Sequence, residues 1–600
     1  MANKVSDVVA DFLKVHEIEV AFGIIGSANS HIFDSIQRLG YTKIICLHHE
    51  QAVVMAMSAY YRASGKLAVA LVTAGGGASN SITGILSAWA DSIPGIIISG
   101  QEPSRYLDKI NLRMFGTQGF KSSEMVKSIT KYSKIILESD SIYEELKIAY
   151  IETLSKRPGP VWLEIPFDIQ SHIIEKRSWV NENENNQIDG EVIIKADFIF
   201  QELLKSQRPV LVLGNGIKLA KSETILYQVL EKLKIPVFTT WSSLDLIHEN
   251  YEYYYGRFGL YGQRCANFII QQSDLVIGLG TRFAIPQIGY NVDEFAPKAK
   301  IIAVDIDESE LKKYDRFIGI HANVKDILNE FLNQKPVQIV KNDWILRCNK
   351  IKKENPLILK QYHENKEYIN SYLFLNSFSK KLGKSDIVVT DMGTALLSGH
   401  QVMEANGYKM FTSQGLGEMG VGLPYAIGAA MTSENSKVHC LNCDGGMMMN
   451  LQELQTIKHI NKKIKIIIFN NDGYLMIKHT QKMLFDGRYS GVNPETGVSL
   501  PDFSKISSAF GFKYLALKDM IEFDNILELY FNSEEPLILE VFMDPEQDFI
   551  PKVKGIPVAQ SSTILSPPIE EMSPLLSFEF ISKMMGDEIS QKSIKIDRSQ

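Results

Sequence analysis

HCLNCDGGMMMNLQELQTIKHINKKIKIIIFNNDGYLMIKHT, residues 439–480, sets the reading of the whole chain. It holds a turn, Cys443-Asp444-Gly445-Gly446, then a helix-like segment, then an apolar run, IKIIIF, ending in Asn470-Asn471-Asp472-Gly473. The run reads as a buried strand bounded by turn residues. An Asp carboxylate, an Asn carboxamide and a backbone carbonyl are hard oxygen ligands of the kind Mg²⁺ takes, with positions left for phosphate oxygens and water. The glycines let backbone N–H groups approach phosphate at a helix N-terminus. An isolated Asp-Gly-Gly would be packing in an ordinary βαβ unit. With Asn-Asn closing the next strand, the pair reads as a divalent metal holding a diphosphate.

Six hundred residues are too many for one core and call for three or four domains. Apolar content of 45% and charged content of 22% fit an ordinary soluble globular chain. A net charge of −7 gives no electrostatic case for nucleic acid or an anionic membrane. Five cysteines make no disulfide framework and fit a reducing, cytoplasmic setting. Cys440 and Cys443 have redox spacing, but they end a strand inside the proposed phosphate turn and no second pair exists, so they read as structural. The first 23 residues read as a helix running into a strand rather than a signal peptide, and no run approaches a membrane span.

Three α/β blocks follow one another. In residues 1–170 a helix over 5–15 precedes strands over 21–25, 43–47, 68–73 and 94–99. The third of these opens into Ala74-Gly75-Gly76-Gly77. Residues 171–190 are polar and Asn/Glu-rich and read as a linker. The second block, 190–335, has strands over 209–213, 236–239, 274–279 and 301–305, with Gly214-Asn215-Gly216 after the first. A lysine-rich helical connector leads to the third block, 370–548, with strands over 387–390, 437–441, 465–469 and 537–542. Residues 549–600 are a tail whose last stretch reads as mobile. The fold class is α/β, three doubly wound parallel-sheet domains plus a C-terminal tail. Similar block sizes hint at related domains.

The Asp-Gly…Asn-Asn pattern resembles the diphosphate motif of thiamine diphosphate (ThDP) enzymes, with Cys443 where the family usually has Gly. HHEQA (48–52), TAGGGASN (73–80), SGQEPSR, RMFGTQGF, RPGPVWLEIPFDIQ, DID (305–307), TDMG (390–393) and GLGEMGVGLPYAIGAA (415–430) follow in the order found in acetolactate synthases and related 2-oxo acid enzymes. The resemblance covers residues 1–550. More weakly, the tail segment SPPIEEMSPLL looks like that of acetolactate-synthase-like proteins of surface-polysaccharide gene clusters. It implies pyrimidine-binding, central and diphosphate-binding domains.

The resemblance implies a role for each of several residues. Glu50 hydrogen-bonds the cofactor pyrimidine and is the catalytic group; in a dry site desolvation would raise its carboxyl pKa. By itself, an acid at that strand-to-helix junction could simply favour the helix N-terminus. Gly417 and Met419 contact the aminopyrimidine. Asp444, Asn471 and the Gly473 carbonyl bind Mg²⁺, and Gly393, Thr394, Gly445 and Gly446 lie at the diphosphate. Met419 as plain core is compatible with this role. The half-sites come from different subunits, so the resemblance implies a homodimer or homotetramer with the site at the interface.

The acceptor side departs from acetolactate synthase. The family's Lys in the segment matching IPFDIQ is Phe167 here, its Gln after Phe120 is Lys121, its Trp past NNDGYLMIKH aligns with Thr480, and its SGPG-type loop reads Ala74-Gly75-Gly76-Gly77. A pocket that loses a cation and a large aromatic does not keep its specificity without compensation. The expected reaction is decarboxylation of a 2-oxo acid, pyruvate foremost, with carboligation to a bulkier carbonyl acceptor such as a keto-sugar nucleotide. Phe120, Lys121, Phe167, Met476, Lys478, His479 and Thr480 are the substrate-side candidates. Pyruvate-decarboxylase-type enzymes place a His pair near 110–115, where this chain has Leu112-Arg113-Met114-Phe115, and a Glu where this chain has Ile477. Aldehyde release should therefore be slow; true acetolactate synthase and simple decarboxylase remain alternatives. His49 is a site-adjacent polar group or part of the turn before Glu50. Flavin is left open: Gly214-Asn215-Gly216, 256–262 and Gly280-Thr281-Arg282-Phe283 partly resemble flavin contacts of acetolactate synthases, but the following Asp-Asp-Arg is Ala284-Ile285-Pro286. A nicotinamide oxidoreductase lacks its spaced glycines and leaves Glu50 and Asn471 unexplained. A binding protein that lost its chemistry is disfavoured by intact Glu50, Asp444 and Asn471.

Overall fold

The computed structural model describes residues 2–107, 111–179, 190–335, 342–365, 367–557, 564–596 and 598. Three parallel sheets carry the chain. The first, of six strands, runs Lys43–Cys46, Val20–Gly23, Val69–Val72, Gly95–Gln101, Pro160–Pro166, Tyr132–Ile135. The third, also of six, runs Lys409–Phe411, Asp386–Thr390, Lys437–Cys443, Ile464–Asn470, Leu537–Phe542, Lys513–Leu517. Numbered within each unit, both orders are 2-1-3-4-6-5. The central sheet of five strands, Val237–Thr239, Pro209–Leu213, Leu275–Leu279, Lys300–Asp305, Ile318–His321, follows 2-1-3-4-5. The expected doubly wound class is thus the observed one, and the two outer units share a topology. Their strands are near-continuous apolar runs because helices cover both faces.

In every unit strand 1 lies between strands 2 and 3. That is the topological switch point, where the crevice beyond the carboxyl ends of an open sheet takes ligands. The Ala74–Gly77 turn follows strand 3 in the first unit, and Asp444 follows strand 3 in the third.

The first and third units pack through the helices Glu50–Ser64 and Gly422–Ala430. Small residues let them touch: a Cβ on Gly428 would lie 2.0 Å from the Ala56 carbonyl oxygen. Polar links fix the start of the first helix. The His48 amide donates to Glu453 Oε1 at 3.0 Å, and Gln51 Nε2 donates to Asn450 Oδ1 at 2.9 Å. Among the described residues no helix is long and apolar enough to cross a membrane.

Two expectations need correction. Residues 171–190 are not a linker from their start: Ile173–Glu175 pairs antiparallel with Ala2–Lys4, so the N-terminus is tied down by a strand the polar composition hid. Residues 180–189 lie outside the described residues. Nor are residues 590–600, expected to be mobile, loose where they are described: Ser593 is buried and its hydroxyl donates to Glu570 at 2.8 Å. The helix Phe578–Met585 buries Ile581, Met584 and Met585 in the central unit's core, with Trp344, Cys348 and Ile351. Gln271 Nε2 donates to Glu570 at 2.7 Å, and the Arg598 guanidinium pairs with buried Glu571 at 2.5 Å.

This docking has a pH signature. Burial, with Glu570 adjacent, pushes the Glu571 carboxyl up to about 7 despite Arg598. A folded value above the unfolded one gives a contribution that is complete below the ordinary glutamate range and lost as pH rises through about 7. Amide exchange in Phe578–Met585, corrected for intrinsic rate, is expected to be faster at about pH 8 than at about pH 5. Glu571→Gln should remove the difference. Equal protection of the wild type at both pH values would sink the idea.

Candidate functional site

The third unit assembles its site where the sequence opens into turns. Asp444 is the first residue of the short helix Asp444–Met447 after strand Lys437–Cys443, and it is 1% exposed. Three backbone amides hold its carboxylate: Gly445 N–H on Oδ1 at 2.7 Å, and Asn471 and Gly473 N–H on Oδ2 at 2.8 and 3.2 Å. Burial still dominates and pushes the carboxyl up to about 6. Among the described residues no ion pair offsets its charge. Beside it, Asn471 Oδ1 is buried and accepts no hydrogen bond, while Nδ2 reaches Thr394 Oγ1 at 3.4 Å.

A buried anion and an orphaned carboxamide oxygen, one strand apart, are what a hard cation would complete. Among the described residues no cluster of three His, Cys, Asp or Glu exists. A set of one carboxylate, one amide and one carbonyl would not form such a cluster, and it is softer in charge than an all-protein cage. That suits a metal that also holds phosphate oxygens. The residues present therefore fit Mg²⁺ with a diphosphate.

Two glycines show why the turns have their composition. Gly473 sits at φ +130, and a Cβ there would lie 2.0 Å from the Val492 carbonyl. At Gly445 a Cβ would meet the Tyr474 ring at 2.3 Å. Gly393 begins the neighbouring helix, Thr394–Val402, across from Cys443. The Met419 methyl lies 3.4 Å from the Cβ position of Gly445, so the Gly417–Met419 turn overhangs the Asp-Gly-Gly turn. Gly393, Thr394, Met419, Asp444, Gly445, Gly446, Asn471 and Gly473 are thus brought together, with Gly417 on the same turn as Met419.

Asp391 escaped the sequence reading except as part of TDMG. Fully buried, it takes the Gly420 amide at 2.9–3.0 Å and the Met392 amide at 2.7 Å, tying the Met419 turn to strand 1. Burial lifts its carboxyl to about 7. Asn450 extends the tie, donating to the Gly420 carbonyl at 2.7 Å and accepting from Gln51. Nothing in the periodicity marks these residues; only a buried polar position after a strand end could have drawn attention.

In the first unit Glu50 is 9% exposed and opens its helix. Asn80 Nδ2 donates to Glu50 Oε2 at 3.0 Å, and Gly77 lies beside Oε1: a Cβ there would stand 3.2 Å from Oε1 and 2.7 Å from the Thr73 methyl. His49 Nδ1 accepts the Gln51 amide at 3.2 Å and so caps the helix. Among the described residues no hydrogen bond joins Glu50 to the Asp444 turn.

The substrate-side candidates are dispersed. Phe120 is part-buried in the core shared by the first and third units. Lys121 Nζ reaches Asn111 Oδ1 at 2.5 Å, and the Phe167 ring lies 4.8 Å from His31. On the helix Leu475–Phe485, Met476 packs into the third unit's core, and its carbonyl accepts the hydroxyl of exposed Thr480 at 3.2 Å. His479 lies against Phe549, and burial lowers its imidazole pKa. All five cysteines are free; burial pushes the Cys443 thiol up to about 12, in keeping with a structural role.

This geometry sets a buried carboxylate beside an unpartnered carboxamide oxygen at the strand ends of a parallel sheet, and sequence comparisons say which class of protein it belongs to. Residues 3–128, 196–331 and 391–541 match the thiamine pyrophosphate enzyme N-terminal TPP binding, central and C-terminal TPP binding domains. The acetolactate synthase isozyme 2 large subunit of Escherichia coli (strain K12) is 31% identical over 563 residues, covering 93% of this chain and 98% of that one. A probable acetolactate synthase large subunit of Methanococcus aeolicus is 30% identical over 557 residues, covering 89% and 91%. The chain belongs to the acetolactate-synthase-like family of ThDP-dependent enzymes.

Proposed function

We propose that this chain uses ThDP with Mg²⁺ to decarboxylate a 2-oxo acid, pyruvate being the donor, and joins the acyl fragment to a carbonyl acceptor other than a second pyruvate. The acceptor class we favour is a keto-sugar nucleotide of the kind used in surface-polysaccharide synthesis. When bound, ThDP supplies a nucleophilic carbon that holds the electron pair left by carbon dioxide. The chain's own residues do the rest. Asp444, Asn471 Oδ1 and the Gly473 carbonyl would hold the metal, and Gly393, Thr394, Gly445 and Gly446 would line the diphosphate. Gly417 and Met419 would seat the aminopyrimidine, and Glu50 would hold a proton at its ring nitrogen. The observation that carries the reading is the buried Asp444 carboxylate beside the unpartnered Asn471 Oδ1.

Glu50 and the metal turn would meet across a subunit interface, in a homodimer or homotetramer. Supporting this, Met448 and Met449, directly after the Asp-Gly-Gly turn, are 42% and 44% exposed, and Leu484 and Phe485 are 46% exposed. Ile477, 48% exposed, offers no acid on the open face of its helix, which disfavours aldehyde release. The free cysteines fit a cytoplasmic setting.

Flavin gains no support from the central unit. The place of a side chain on Gly214 is filled by the Gly280 carbonyl at 2.0 Å, on Gly256 by Gln263 at 1.7 Å, and on Gly259 by the Pro286 carbonyl at 2.3 Å. These glycines serve close packing of the chain on itself, and we assign no step to a flavin.

A second reading, acetolactate synthase itself, is favoured by the names of the relatives. One experiment separates the two. Pure protein with pyruvate, ThDP and Mg²⁺ is expected to form acetolactate slowly, and to form a larger adduct, seen by mass spectrometry, when keto-sugar nucleotides are added. Fast acetolactate formation from pyruvate alone would overturn the acceptor assignment; flavin absorbance of the same preparation decides the open question of FAD.

A further inference from the structure

On the helix Leu475–Phe485, Lys478 is 3% exposed. Its ammonium makes one contact, Nζ to the Asp472 carbonyl at 3.3 Å, and among the described residues it has no ion pair. Other buried cations of this chain are better served. The Arg62 side chain pairs with Asp91 at 3.0 Å, the Arg264 guanidinium donates to the Met572 and Pro574 carbonyls, and the Arg257 guanidinium donates to two carbonyls and the Tyr254 hydroxyl. An ammonium taken out of water with one long bond to a neutral oxygen is costly unless an anion completes it.

The same turn carries the opposite deficit. Asn471 Oδ1 is a buried acceptor without a donor, seven residues before a buried donor without an anion. Asp472, whose carbonyl receives Lys478, lies between Asn471 and Gly473, the two metal-side residues of the turn. A divalent cation with a diphosphate answers both at once. The metal would take Asn471 Oδ1, and phosphate oxygens with charge left over from the metal would take the ammonium. Mg²⁺ and a lysine sharing one set of phosphate oxygens is a recurring arrangement in phosphate chemistry.

We propose that Lys478 is a phosphate-oxygen receptor of the Asp444–Asn471 site. The inference rests on the ThDP reading above. Two diphosphates could supply the oxygens, that of the cofactor and that of a nucleotide-bearing acceptor.

The test uses the full-length wild type and Lys478→Met, which keeps the stem and removes the charge. ThDP with Mg²⁺ is titrated by calorimetry, UDP is titrated onto the ThDP-loaded protein, and Tm is read without additions. A charge-assisted hydrogen bond of this kind is worth about 10- to 100-fold in affinity. If the cofactor supplies the oxygens, Lys478→Met weakens ThDP binding by about that factor. If the acceptor does, ThDP binding is kept and UDP binding falls instead. In either case the Tm of the variant without additions is expected to equal or exceed that of wild type, because an uncompensated buried charge has gone. Unchanged affinity for both compounds overturns the proposal, as does a lower Tm, which would mark a structural lysine. A wild type that binds no ThDP overturns the underlying reading and this proposal with it.

Discussion

Asp444→Ala is expected to abolish the thermal stabilisation that ThDP with Mg²⁺ gives the wild-type protein. A ligand that binds only the folded state adds about 2.7 kcal/mol at a hundredfold excess over its Kd, and a variant that cannot hold the metal gains none of it. The variant without ligand should fold. Three backbone amides lose their acceptor, at about 1–3 kcal/mol for an unsatisfied buried group, but the substitution also removes a carboxylate that burial has already pushed up to about 6. The two effects oppose each other. Tm without ligand should therefore move much less than the ligand-induced shift. Differential scanning fluorimetry with and without ThDP and Mg²⁺ reads both. A variant that keeps the wild-type shift would show that the metal is held elsewhere.

The metal turn was legible because its chemistry is local. Asp444, Asn471 and Gly473 sit in turns at the ends of apolar runs, and residue type alone says hard oxygen ligands next to flexible backbone. The strands were legible for the same reason: Ile464–Asn470 and Leu275–Leu279 are runs that only a doubly covered sheet buries. Glu50 was different. A Glu opening a helix has an electrostatic explanation of its own, and only its place in a familiar order of motifs gave it a role. Its partner, Asn80, lies thirty residues on, and no periodicity connects them.

The tail shows the limit most clearly. Its polar end reads as loose, yet Glu570 and Glu571 are buried by Gln271, Ser593 and Arg598, from two distant stretches of chain. Burial of a charged residue is decided by what folds onto it, and composition does not record that. Lys478 repeats the lesson. The spacing alone does not show that the helix turns its side chain inward, toward the carbonyl of Asp472.

Glu50→Gln tests the other half of the site, and its effect should be on rate alone. Gln keeps the size and can still face Asn80, so folding and ThDP binding are expected to persist while turnover falls by about 10²- to 10⁴-fold, the usual range for a lost proton-handling group. The sharper result comes from mixing variants. In the proposed homodimer, or in each dimer of the proposed homotetramer, Glu50→Gln and Asp444→Ala are each expected to be inactive. Unfolded, mixed in equal amounts and refolded, half the dimers are mixed. In those, one of the two sites takes Glu50 from the Asp444→Ala chain and Asp444 from the Glu50→Gln chain. About a quarter of all sites, and of wild-type activity, should return. Were the site built within one chain, no pairing of these variants could restore it, because every chain would carry a defect. Activity that stays at the level of the separate variants would therefore remove the shared-interface site.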